Sequence, residues 1–207
     1  MMKVLLVNGS PHEKGCTYTA LSEAATVLEQ NGIKTEIMHV GTKPIGGCLG
    51  CGACKKLGKC VQEDTVNVFL EKAKEADAFL FGSPVHFAAA SGAITSFMDR
   101  AFYAGAAIVQ NKPAAAIASC RRGGASATFD QLNKYFAIRN MPIVTSQYWN
   151  MVHGNTPEEV KQDVEGMQTM RTLASNMAWL LKCIDAGKKA GIELPAREAP
   201  AKTNFIR

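Results

Sequence analysis

Apolar residues along this chain fall into short unbroken runs that alternate with longer stretches of helical spacing. The run at 3–8 ends in Gly9-Ser10-Pro11, and 17–31 then places Ala20, Leu21, Ala24, Val27 and Leu28 three and four apart. That pattern predicts a strand, a turn and a helix. Gly32 stops the helix, and over 33–40 the residue types alternate as in a strand near a sheet edge. Asp64-Thr65 can cap a helix to about residue 76 with Val66, Phe69, Leu70 and Ala73 on one face; an apolar strand at 77–81 follows and ends in Gly82-Ser83-Pro84. The remainder predicts a helix at 92–103, a buried strand at 113–119, a helix at 128–140 and a strand at 143–149. One long helix follows at 157–186, with Pro157 in its first turn.

Strands alternating with helices, with no break in composition, imply one three-layer α/β domain built on a parallel sheet. Five strands point to the doubly wound order 2-1-3-4-5, the flavodoxin-like sandwich, whose ligands bind at the carboxyl ends of the strands where the order reverses. The expected domain covers 1–187 and carries a cysteine-bearing loop at 46–60. Beyond Gly187, Pro195, Pro200 and scattered charges read as an extended arm, 188–207, whose Phe205 and Ile206 call for a partner surface.

Composition agrees with a packed domain: 47% of the 207 residues are hydrophobic and 20% charged. The net charge is +5, but 188–207 holds five basic and two acidic residues and so +3 of it. The nearly neutral body has no basic stripe interleaved with aromatics, which argues against nucleic acid as a partner. No apolar run approaches the roughly 18 residues of a membrane span, and the run after Lys3 is too short for a signal peptide, so a cytoplasmic protein without membrane contact is expected. Seven cysteines, four of them between 48 and 60, fit reduced thiols or metal ligation better than a disulfide framework.

Three loops carry candidate chemistry. Gly9 to Thr17 offers hydroxyls, His12, Lys14 and free amides at a helix start, a recipe for holding phosphate. It is neither a Walker loop, since five residues separate Gly9 and Gly15 and Cys16-Thr17 follows, nor a Gly-x-Gly-x-x-Gly turn. Gly82 to Phe87 places apolar and aromatic groups at the same edge, and Ser119 to Gly124 adds glycines that let backbone amides approach a ligand. One phosphate-like loop and two suited to a flat ring describe a mononucleotide with an aromatic head.

Gly9-Ser10-Pro11 with Gly15-x-Thr17, Cys48-x-x-Cys51-x-x-Cys54 with Cys60, Gly82-Ser83-Pro84-Val85, Met98-Asp99-Arg100 and Thr203 to Arg207 together resemble the NAD(P)H-dependent FMN reductase family. The branch they most resemble is the iron–sulfur flavoproteins. The resemblance implies FMN held through Ser10, His12, Gly15, Cys16 and Thr17. It also implies ring contacts from Pro84, Val85, His86 and Phe87 and from Ser119, Arg121, Gly123 and Gly124, and a homodimer or homotetramer whose subunits complete each other's flavin sites. His12 stands where the family usually has Arg, and Cys16 where it usually has Asn.

Cys48, Cys51, Cys54 and Cys60 pack four soft ligands into thirteen residues, as a [4Fe–4S] cluster requires. Zinc also accepts four thiolates but usually draws two pairs from more distant segments; unligated thiols above the flavin answer the pattern as well. Lys55, Lys56 and Lys59 are placed to offset thiolate charge. Cys120 and Cys183 read as small buried hydrophobes, His39 as a strand residue and His153 as structural. The reading that follows is an FMN-dependent oxidoreductase passing electrons from NAD(P)H, as co-substrate, to a small-molecule acceptor or to the cluster. An electron carrier between protein partners without NAD(P)H turnover is the alternative, and a flavin-binding module with a redox-sensing cysteine loop a third. The cofactor supplies the reactivity, so no side chain is named as catalytic.

Overall fold

The computed structural model describes residues 1–199, 201 and 203; Phe205 and Ile206 lie outside the described residues. Val4 and Leu6 of β1 (Lys3–Asn8) face one way and Leu5 and Val7 the other, all four fully buried. Both faces of the strand are therefore covered, as a parallel sheet between helical layers requires. The sheet runs β2 (Lys34–His39), β1, β3 (Ala78–His86), β5 (Ala114–Cys120), β6 (Met151–His153), with a two-residue β4 (Ala89–Ala90) folded back on β3. Leaving that hairpin aside, the five parallel strands take the expected order, with β2 at the edge.

On one face, Leu5, Val7, Phe79 and Phe81 pack under α3 (Thr65–Glu75), α4 (Gly92–Ala104) and α6 (Ala125–Ile138), and a short α5 (Ala106–Val109) closes that layer. Phe69 and Phe97 meet there edge to face at 5.4 Å. On the other, Val4, Leu6, Leu80 and Ile117 pack against α1 (Cys16–Gln30) and α8 (Val164–Lys189). The expected cap at Asp64 is present: its carboxylate accepts from the Val66 amide at 3.0 Å.

Four expectations need correction. The strand expected at 143–149 is absent. Ile143 bridges Ala114, the chain then leaves the sheet, and pairing resumes at β6. In that stretch the exposed Tyr148 and Trp149 pack on each other at 4.7 Å, and the Ser146 hydroxyl donates to the Tyr148 carbonyl to close the detour. The long helix at 157–186 is two helices, α7 (Pro157–Gln162) and α8. Asp163 breaks them with ψ at 80°, and its carboxylate accepts from both the Gly166 and His153 amides. α8 itself continues through Gly187 to Lys189. β3 does not stop at the Gly82-Ser83-Pro84 turn but extends to His86, because Ser83 and Pro84 still pair with Ala118 and Ser119 of β5. Finally, Cys183 is exposed, while Cys120 is buried as expected. Among the described residues, no helix is long and apolar enough to cross a membrane.

Candidate functional site

The buried Asn8 side chain at the end of β1 shapes the loop that follows. Its Oδ1 accepts from the Ser10 amide at 3.1 Å and its Nδ2 donates to the Glu13 carbonyl at 3.0 Å. Ser10 Oγ in turn accepts from the His12 amide at 3.1 Å. The His39 ring, at the end of β2, reaches the Ser10 carbonyl at 2.7 Å; a carbonyl only accepts, so Nε2 is the donor. His39 is thus tied to this loop, a role its place in an alternating strand did not reveal.

Gly15 caps α1 without any side-chain acceptor, and the helix has no acidic residue in its first turn. The first amides of the helix, which have no intrahelical partner, and the positive end of its dipole are left for an anion. Cys16 donates its thiol to the Gly154 carbonyl at 3.7 Å, and burial pushes that thiol's pKa up, so it stays protonated. The β6–α7 connection therefore flanks the first loop, a neighbour no local sequence signal announces.

Backbone and hydroxyl contacts join this loop to the other two. The Gly9 amide donates to the Gly82 carbonyl at 2.8 Å, Ser91 Oγ donates to the Gly9 carbonyl at 2.9 Å, and the Ser91 amide donates to Ser83 Oγ at 3.0 Å. The Thr17 and Ser119 hydroxyls lie 2.7 Å apart, both buried. Gly124 holds φ at 91°, and a Cβ there would sit 2.6 Å from Ala88 Cα, so only glycine lets the third loop come this close to the second. Of the expected contact residues, Ser10, Thr17 and Ser119 are buried, and Gly15, Cys16, Pro84, Val85 and Gly124 half-buried. His12, His86, Phe87, Arg121 and Gly123 open to solvent.

The four cysteines line one pocket together with Arg100 and Tyr103. All are free thiols; Cys54 begins the single turn α2 (Cys54–Leu57), and Cys48 and Cys51 are exposed. Among the described residues, no three His, Cys, Asp or Glu side chains converge as the ligands of a single ion would. What the pocket offers is a set of four soft donors of the type that iron–sulfur clusters take. Lys59 pairs with the exposed Glu63 at 2.7 Å, so among these groups the cation aimed at one of the four sulfurs is not that lysine. It is Arg100, whose Nε donates to Cys60 Sγ at 3.3 Å from a side chain with no exposed surface. Sequence reasoning cited Arg100 only as part of a family motif. The signal was present all the same: an arginine on the apolar stripe of Ile94, Phe97 and Ala101.

A family model for NADPH-dependent FMN reductase matches residues 2–156. An iron–sulfur flavoprotein of Methanocaldococcus jannaschii is 35% identical over 191 residues, covering 88% of this chain and 99% of its own length. An iron–sulfur flavoprotein of Methanosarcina thermophila is 24% identical over 192 residues, covering 90% and 99%. Among solved structures, RosB with a bound 8-demethyl-8-formylriboflavin-5'-phosphate intermediate superposes with a TM-score of 0.68 at 17% identity, covering 100% of this chain and 94% of RosB. The apo form of the NADH:FMN oxidoreductase EMOB gives 0.64 at 14% identity, covering 87% and 90%. At these identities the two structures speak for the flavodoxin-like fold alone.

Proposed function

Because this chain belongs to the NADPH-dependent FMN reductase family, we propose that it is an FMN-dependent oxidoreductase drawing electrons from NAD(P)H. It delivers them to a small acceptor or to an iron–sulfur cluster on its own cysteines. The observation that carries this reading is the uncapped start of α1, wrapped by a loop that Asn8 and His39 hold in shape and tied to two further loops at the same sheet edge. In that cradle the amides and hydroxyls from Ser10 to Thr17 take the phosphate, and Pro84 to Phe87 and Ser119 to Gly124 flank the ring. Bound there, FMN supplies a hydride acceptor that also releases electrons singly. The residues bind and orient; none is required to move a proton.

Cys48, Cys51, Cys54 and Cys60 are the donors for a [4Fe–4S] cluster, which supplies one-electron storage. That both relatives are iron–sulfur flavoproteins supports a cluster of this general kind. Exposed apolar rings, Phe87 after β3 and the Tyr148–Trp149 pair before β6, support a homo-oligomer that covers them. Cys48 and Cys51, open to solvent, favour as second reading an electron carrier that meets a protein partner there.

Protein purified without air and supplied with FMN, iron and sulfide is expected to oxidise NADH or NADPH in steady state with a flavin or quinone acceptor. FMN binding and cluster loading with no such turnover would leave the carrier reading in its place. Stoichiometric FMN with about zero bound iron after anaerobic reconstitution would remove the cluster and leave the four cysteines as thiols beside the flavin.

A further inference from the structure

Arg100 is a fully buried cation with all five N–H groups engaged, and every acceptor lies between residues 46 and 64. Nη1 donates to the Gly46 carbonyl at 3.3 Å and to Asp64 Oδ2 at 2.5 Å. Nη2 donates to the Gln62 carbonyl and to Asp64 Oδ1, both at 3.0 Å, and Nε donates to Cys60 Sγ at 3.3 Å. The guanidinium on α4 thus grips both ends of the cysteine-bearing segment and places its remaining donor on one of the four sulfurs. Cys60 is fixed from α3 as well: its amide donates to Asn67 Oδ1 at 2.9 Å, and Asn67 Nδ2 donates to its carbonyl at 3.0 Å.

Desolvating a guanidinium is costly unless it is paired and its donors are met. Asp64 and two carbonyls already meet the needs of a loop anchor. The bond to sulfur is additional, and it faces the pocket that all four thiols line.

We propose that Arg100 is a positioning residue for the cysteine site: it presets Cys60 as a ligand and, through its Nε–H and its charge, favours the reduced form of a cluster bound there. This rests on the cluster reading above. The physical ground is that hydrogen bonds to ligand sulfurs, and positive charge beside them, stabilise the state holding one more electron.

The test uses full-length protein with FMN, reconstituted anaerobically with iron and sulfide, as wild type, R100K and the double variant R100M/D64N. R100K keeps a charge but loses the planar fork. R100M/D64N removes both charges, so neither is stranded, and Asn still caps α3. FMN stoichiometry and the thermal midpoint report folding. Iron per chain, its rate of loss to a chelator and the cluster midpoint by EPR-monitored redox titration report the role.

Both variants are expected to keep FMN and to lose iron to the chelator faster. At the wild-type midpoint their ratio of reduced to oxidised cluster falls about three- to tenfold, the order expected for weakening one charge-assisted hydrogen bond. Wild-type iron retention and midpoint in both variants overturns the assignment, as does loss of FMN and fold from both, which would make Arg100 an element of the fold alone. A wild type that binds FMN but no iron overturns the cluster reading itself and the role of Arg100 with it, an outcome distinct from a loaded wild type with indifferent variants.

Discussion

Replacing Thr17 by Val removes one hydroxyl at the junction of the first and third loops while keeping the side chain's shape. The hydroxyl lies 2.7 Å from Ser119 Oγ with both residues at most 3% exposed, so water does not replace it. A buried polar group left without its partner costs about 1 to 3 kcal/mol, a measurable share of the roughly 5 to 15 kcal/mol that holds a domain folded. Ser119→Ala should cost a similar amount, and the double variant less than the sum by about 1 kcal/mol, since one bond is lost in all three. Urea denaturation of the apo-protein measures that cycle. Because Thr17 closes the proposed phosphate loop at the first turn of α1, FMN affinity in T17V should also fall by about five- to 150-fold, the equivalent of 1 to 3 kcal/mol, read by quenching of flavin fluorescence. A dissociation constant within about twofold of wild type, alongside a lowered urea midpoint, would falsify the placement of the phosphate while leaving the hydroxyl pair intact as a fold contact.

Gly124→Ala forces a side chain into the left-handed region, at about 1 to 2 kcal/mol, and drives its Cβ against Ala88. The thermal midpoint should drop by about 4 °C or more and FMN should bind more weakly; an unchanged melting curve would show that the two loops need no such approach. Glu36 accepts from Lys72 and from Lys3, the latter at 2.9 Å, and these bonds hold its carboxyl below the usual glutamate range. A depressed folded pKa means stability present above about pH 4.3 and lost as pH falls through the lower folded value. The urea midpoint of wild type should accordingly exceed that of E36Q at pH 7, with the gap closing toward pH 3; a gap constant with pH would refute the ion cluster's contribution.

Elements whose cause is local were legible in the sequence. The run at β1, the stripe on α1 and the Asp64 cap each follow from neighbours within a few residues, and each stands where those neighbours place it. Elements decided by distant partners were not. The β-branched and aromatic residues at 143–149 suit a surface detour as readily as a strand, because residue type does not record what covers a segment. The break at Asp163 depends on the His153 amide, which only the fold brings to its carboxylate. The four cysteines announced a ligand set by spacing alone, whereas His39 acquires its part from a carbonyl 29 residues away in sequence, with no pattern to flag it.

Helix α4 links the two proposed cofactor sites mechanically. Its N-cap, Ser91, donates to the Gly9 carbonyl at the root of the phosphate loop, and Arg100 grips the cysteine segment nine residues further along. At about 1.5 Å per residue those anchor points lie roughly 14 Å apart along the axis. The helix between them is locked into the core by Ile94, Phe97 and Met98, all fully buried. A rigid rod of that length fixes the spacing of the two loops without any contact between them. It also gives the full charge on an apolar stripe its part: a shorter or neutral side chain at position 100 would leave the cysteine segment without its tether to α4, while the Ser91 anchor at the first loop would stand.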